Sequence, residues 1–188
     1  MSVFLAGITI FCAVHLFKAA APAARENVAF KLGERPYQGI FTLLIVGSLV
    51  MIVSGWKATV PQAVYTPPMS PGILPTTLVL VALVLFFASQ FGGYVRRVLR
   101  HPQMIGTILW AVSHLLTNGD NRSVTLFGAL GTWAVLEIIL CNRRDGPRNE
   151  LPEASARADV IAVVGGAVAF AVIGHFHLTL FGVSPLPV

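Results

Sequence analysis

Charge is what this chain lacks. Of its 188 residues only 11% are Asp, Glu, Lys or Arg, well below the roughly 25% of a soluble domain. With 55% of residues hydrophobic, a soluble fold could not cover its surface, so an integral membrane protein is implied, with membrane lipid as its first partner. Cysteine is scarce as well. Cys12 falls inside the first apolar run and Cys141 ends the fifth; they make no disulfide framework and read as small packed side chains. Also missing are a phosphate-cradling glycine loop, a nucleophile elbow and a pair of carboxylates within apolar sequence, which removes the standard nucleotide-binding and hydrolytic classes. No basic residue precedes the first apolar segment, so that segment is not expected to be a cleavable signal. The net charge of +5 is not read as nucleic-acid affinity, because the basic residues fall in links between apolar runs, where they set orientation.

Six apolar runs are present: about residues 3–21, Gly39–Trp56, Ile73–Phe91, Met104–Thr117, Val124–Cys141 and Val160–Phe181. Most approach the roughly 20 residues that span hydrocarbon as a helix, and the fourth is short. The expected fold is all-α, one domain over residues 1–188, an integral membrane bundle of six transmembrane helices. The links alternate in charge. Residues 22–38, 92–103 and 142–159 carry three or four Lys or Arg each, whereas 57–72 has Lys57 alone and 118–123 Arg122 alone. The first, third and fifth links are then cytoplasmic and both termini lie outside, in a bacterial inner (cytoplasmic) membrane. PQAVYTPPMSPG reads as an ordered outer loop. Gly119 can end one helix, and Asp120, Asn121 or Ser123 can cap the next. GGAVAFA in the sixth run and the glycines at 39, 47 and 55 suit close helix packing. The link RRDGPRNELPEASARAD is expected to be mobile.

Two histidines stand inside these runs, His15 in the first and His114 in the fourth. An ionisable side chain at bilayer depth is costly and usually faces a cavity, a partner or a cofactor. His15 is placed roughly 9 Å below the inner boundary and His114 roughly 15 Å deep, from the 1.5 Å rise per residue. Two imidazoles at similar depth on separate helices could hold haem b, with His15 and His114 as metal ligands; structural polar residues bonded to a neighbouring helix are the alternative. His101, before Pro102, is a candidate helix cap, and with Arg96, Arg97 and Arg100 it could bind propionates or phosphate head groups. Arg35 is a further candidate for the propionates. Trp110 precedes His114 by one turn and could pack on a planar cofactor. Cys12 precedes His15 by three residues and could be an alternative thiolate ligand. Glu137 is the one acidic residue well inside an apolar run, within reach of Arg143 or Arg144. His175 and His177 are expected at the interface, on different faces of their helix.

VHLFKAA, ERPYQGIFTL, LRHPQMIGTILWAVSHLLTNGD and HFHLTLFGVSP resemble the NnrU family in order and spacing over nearly the whole chain. That resemblance implies a six-helix bacterial membrane protein of nitric oxide and denitrification metabolism. The family is in turn similar to 15-cis-zeta-carotene isomerase, a haem b enzyme acting on a lipophilic polyene. This likeness places its ligand histidines on His15 and His114. The isomerase carries a cysteine three residues before its second ligand; here that position is Ala111. The RHPxxxG phrase also resembles isoprenylcysteine-type methyltransferases, but no paired glutamates follow. The expected function is therefore haem b chemistry of the NnrU type, redox or nitric-oxide-related. Carotenoid cis–trans isomerisation is the alternative, and methyl transfer or non-catalytic haem carriage the further ones.

Overall fold

The computed structural model describes residues 1–148, 153–183 and 185. Eight helices follow along them: α1 Ser2–Ala20, α2 Pro22–Leu32, α3 Glu34–Ala58, α4 Ile73–Ala88, α5 Tyr94–Val98, α6 Pro102–Thr117, α7 Asn121–Asp145 and α8 Ala156–Phe181. Among the described residues there is no strand. Four helices, α1, α3, α7 and α8, are long and apolar enough to cross a membrane, at 19, 25, 25 and 26 residues. This is a multi-pass helical membrane protein. The 16-residue helices α4 and α6 extend about 24 Å each, short of a hydrocarbon core of about 30 Å.

The helix ends differ from the apolar runs for local reasons. α4 stops at Ala88, before the end of its run at Phe91, because Ser89, Gln90 and the Gly92–Gly93 pair favour turns over continued helix. α3 and α7 overrun their apolar segments by several polar residues at the N-terminal end, since backbone hydrogen bonding continues past hydrocarbon into the interface. The link 22–38 is itself largely helical: Pro22 opens α2 at its first turn, where a missing N–H costs nothing.

The chain divides into two compact units. The first, residues Met1–Gln62 and Asp120–Gly146, holds α1, α2, α3 and α7. Its core is Phe4, Ile8 and Ile52, with Phe11, Cys12, Trp56 and Leu126 packed against it. α1 and α3 approach closely because two glycines lack a Cβ. At Gly7 a Cβ would stand 2.9 Å from Ile52 N, and at Gly55 2.5 Å from Phe4 N. Of the three glycines singled out on this helix, only Gly55 serves that purpose; Gly39 and Gly47 meet nothing within 4 Å. α7 starts at a true cap: the Asp120 carboxylate accepts from the backbone N–H of Arg122 at 3.0 Å and of Ser123 at 3.2 Å. Arg122 lies over the Trp56 ring at 4.6 Å and donates to the Trp56 carbonyl at 3.3 Å.

The second unit, residues Ala63–Gly119 and Pro147–Val188, packs α6 and α8 on α4. Gly106 of α6 faces the Ala82 carbonyl, and Gly165 and Gly166 of α8 face Phe87 and Val84, so the GG pair of the sixth run does allow close packing. The proline-rich loop is ordered on the end of α6. Val64 N donates to Gly119 O at 2.8 Å, Met69 N to Leu116 O at 3.0 Å, and the Tyr65 hydroxyl to the carbonyls of Leu115 and Asn118. α5 is held by α8, whose Asp159 carboxylate accepts from Tyr94 N at 2.8 Å and Val95 N at 3.2 Å. The expected mobile link falls partly on 149–152, outside the described residues. Its flanks are tied down: Arg148 donates to Arg97 O at 3.0 Å and Ser155 N to Gly92 O at 3.0 Å.

Candidate functional site

His15 sits in the last third of α1, inside the first unit. Its Nδ1 bonds the Phe11 carbonyl, one turn back, at 2.8 Å. A carbonyl can only accept, so the proton of that bond is on Nδ1 and Nε2 keeps its lone pair. Rings from three helices surround the imidazole. Centroid distances are 4.3 Å to Phe11, 5.2 Å to Trp133 of α7 and 5.7 Å to Phe41 of α3. Trp133 is 7% exposed and its Nε1–H has no acceptor. One turn further along α7, Glu137 Oε2 is also buried without a partner, while Oε1 faces the Cys141 thiol at 4.0 Å. Arg144 lies within electrostatic range of Glu137, as expected, but its ion pair is with Asp145 at 2.7 Å.

His114 belongs to the second unit and lies in the last turn of α6. It repeats the same device: Nδ1 bonds the Trp110 carbonyl at 2.9 Å, leaving Nε2 as an acceptor. The Trp110 ring lies 5.2 Å away, tilted by 55°. The backbone here is locked, because the His114 carbonyl accepts from Asn118 N at 2.8 Å and Asn118 Nδ2 at 2.9 Å. Ala111, one turn before His114, is buried at 2% exposure. His177 of α8 lies within electrostatic range of His114, with its own Nδ1 on Val183 O at 2.7 Å. The sequence reading set His177 aside, since helix period alone says nothing about which neighbour a face meets.

The other candidates are placed apart from these rings. His101 occupies the N-cap of α6 without a side-chain capping bond. It is thirteen residues before His114, about 20 Å along the helix, and Arg100 precedes it. Arg35 is exposed in the first turn of α3. Cys12 is a free thiol packed against the core of the first unit. Phe41 and Trp133, which the sequence reading missed, are brought to His15 by tertiary packing that no local spacing announces; Phe11, four residues before His15, was detectable as a helical neighbour.

Among the described residues no group of three or more His, Cys, Asp or Glu could hold a metal ion. Axial ligation of a haem asks for less, because the porphyrin supplies the other donors and the protein one atom per face. Two apolar-helix histidines whose Nδ1–H is committed to a backbone carbonyl carry their lone pair on Nε2, the tautomer that axial ligation uses. The tied Nδ1 is the outer bond that ordinarily fixes a ligand histidine's tautomer and ring orientation. No curated protein and no solved structure matches the chain. A family model described as NnrU protein matches residues 3–185, nearly the whole sequence, and the chain belongs to the NnrU family.

Proposed function

We propose that this chain is a haem b-binding protein of the bacterial inner membrane that acts in nitric oxide or denitrification chemistry, with His15 and His114 as axial ligands. The observation that carries the reading is the matched pair of Nδ1 bonds, 2.8 Å to Phe11 O and 2.9 Å to Trp110 O. Each holds a proton on Nδ1 and so keeps the lone pair on Nε2, the tautomer of a histidine that ligates iron. Phe11, Phe41 and Trp133 beside His15, and separately Trp110 beside His114, give each imidazole rings of the kind on which a planar macrocycle packs. When bound, haem would supply a redox-active iron able to take a diatomic ligand. In the full topology of this proposal, α4 and α6 also cross the bilayer as the shorter members of six spans, and both termini lie outside.

Nitric oxide chemistry ranks above carotenoid isomerisation on one feature. The buried Ala111 provides no thiol one turn from His114, so the ligand exchange implied by the isomerase resemblance has no donor there. The deciding experiment is the absorption spectrum of purified full-length protein, oxidised and reduced. About one haem b per chain is expected, with a six-coordinate low-spin spectrum. Protein that stays colourless after expression with ample haem sinks the reading.

A further inference from the structure

Among the described residues, the buried side-chain polar atoms without a partner are Arg25 Nε, Trp133 Nε1 and Glu137 Oε2. Arg25 is otherwise well held, bonded to Glu34 at 2.8 Å and lying over the Tyr37 ring at 4.9 Å. The other two are neighbours. Trp133 and Glu137 stand four residues apart on α7, so their side chains share one face of that helix. That face meets α1. Trp133 packs edge-on against Phe11 at 5.3 Å and His15 at 5.2 Å. Lys18, one turn beyond His15, lies within electrostatic range of both His15 and Glu137. All of these residues belong to the first unit.

The two orphan atoms are of opposite kind: an indole N–H only donates, and a carboxylate oxygen accepts. They do not satisfy each other. Glu137 turns Oε1 to the Cys141 thiol, which donates to it at 4.0 Å, and leaves Oε2 buried. An enclosed donor or acceptor without a partner costs stability. Packing a ring against His15 does not require that cost, because phenylalanine fills such a place without an N–H. A donor and an acceptor one turn apart ask for a group that accepts from the first and donates to the second, and a hydroxyl does both.

The surroundings say what carries that hydroxyl. Both α1 and α7 are long and apolar enough to cross a membrane, so the ligand arrives through lipid and is neutral. Its neighbours Phe11, His15 and Trp133 are rings, which favour a flat aromatic body. We propose that the α1–α7 seam of the first unit binds a lipid-soluble phenol, of the hydroquinone class, whose hydroxyl accepts from Trp133 Nε1 and donates to Glu137 Oε2. Neither iron nor His114 enters, so this site stands apart from the haem reading.

The test titrates the reduced full chain in detergent with three probes of similar shape, correcting for their uptake by empty micelles. Tetramethylphenol can accept and donate, its methyl ether can only accept, and tetramethylbenzene does neither. Affinity should fall in that order, each step by about twofold to tenfold, the worth of one hydrogen bond. Trp133→Phe and Glu137→Leu should each weaken phenol binding by a similar factor, and Glu137→Gln, which keeps an acceptor oxygen, should restore it. Ether binding should respond to Trp133→Phe and not to Glu137→Leu. The indole N–H Raman band of Trp133, isolated as wild type minus Trp133→Phe, should shift when the phenol is added. If Trp133→Phe does not fold, the order of the three probes and the two Glu137 variants decide. Equal affinity for the three probes overturns the proposal, as does phenol binding indifferent to Glu137→Leu, or an unmoved indole band, which leaves the two atoms to water. Failure of the haem reading shows separately, as colourless protein before any probe is added.

Discussion

Trp133 of α7 meets His15 of α1 edge-on, ring centroids 5.2 Å apart and planes at 66°. Phe11 and Phe41 pack on it as well, so one half-buried imidazole in an apolar helix meets three rings and is tethered through one nitrogen. A histidine kept only to satisfy a neighbouring helix would be bonded to it through a side-chain contact. Here the tether runs to its own helix and leaves Nε2 for something else.

His15→Ala and His114→Ala should each abolish or visibly alter the haem spectrum, because either removes one Nε2 donor. His175→Ala is the proper control. His175 is exposed near the end of α8 and packs on Phe176 at 4.8 Å. His177 is a poor control, given its place within electrostatic range of His114. Wild-type spectra in both the His15 and His114 variants would remove these residues from the iron.

Glycine substitutions should separate close helix packing from mere glycine content. Gly55→Ala puts a methyl 2.5 Å from Phe4 N, and overpacking of this kind costs about 1–3 kcal/mol. Gly47→Ala on the same helix meets nothing within 4 Å and should be neutral or stabilising by about 0.5–1 kcal/mol, since alanine loses less entropy in a helix. Thermal unfolding in detergent distinguishes them. Equal Tm changes for the two variants would contradict the α1–α3 contact.

This contrast also shows what was legible in the sequence. Apolar length and polar links found every long helix, and the Asp-Asn-Arg-Ser turn after Gly119 announced the cap of α7. These are local signals, carried by chain neighbours. Which of Gly39, Gly47 and Gly55 faces α1 depends on where another helix lies, and no pattern within α3 reports it. The same holds for the candidate site. His15 and His114 stood out because imidazole is costly among apolar residues, whereas Trp133 and Phe41 look like any other apolar side chain until the helices are packed. The link 22–38 was read through its charges, and its helix went unseen because a short polar helix leaves no apolar run.

The Asp120 cap predicts an acid-sensitive stability. Burial alone would raise this carboxyl; hydrogen bonds from Ser123 and the Arg122 N–H, together with the Arg122 charge, outweigh it and hold the carboxyl below its usual range. A depressed folded value means the cap contributes fully above the unfolded value of about 3.9 and is lost as pH falls through the lower folded one. Asp120→Ala should cost about 0.5–2 kcal/mol at neutral pH. Asp120→Asn keeps a capping oxygen without the charge, so its Tm should fall less than the wild type's between pH 5 and the acid limit (roughly pH 2–3). Parallel acid profiles for wild type and Asp120→Asn would show that the carboxylate charge does not matter.

The proposed orientation rests on the basic links, because lysine and arginine in short links tend to remain on the cytoplasmic side. In the proposed orientation Arg25 and Lys31 in α2 and Arg96 and Arg97 in α5 are cytoplasmic, whereas Lys57 in the last turn of α3 and Arg122 in the first turn of α7 are not. Single cysteines at exposed positions, introduced into a chain with Cys12 and Cys141 replaced, read this out with a membrane-impermeant thiol reagent. Glu26→Cys in α2 should be protected in intact cells and labelled after lysis. Lys57→Cys at the end of α3 should be labelled in intact cells. Both side chains are exposed, so reactivity is decided by the compartment and not by burial. Labelling of Glu26→Cys from outside with protection of Lys57→Cys would invert the orientation and place His15, near the α2 end of α1, toward the outer face.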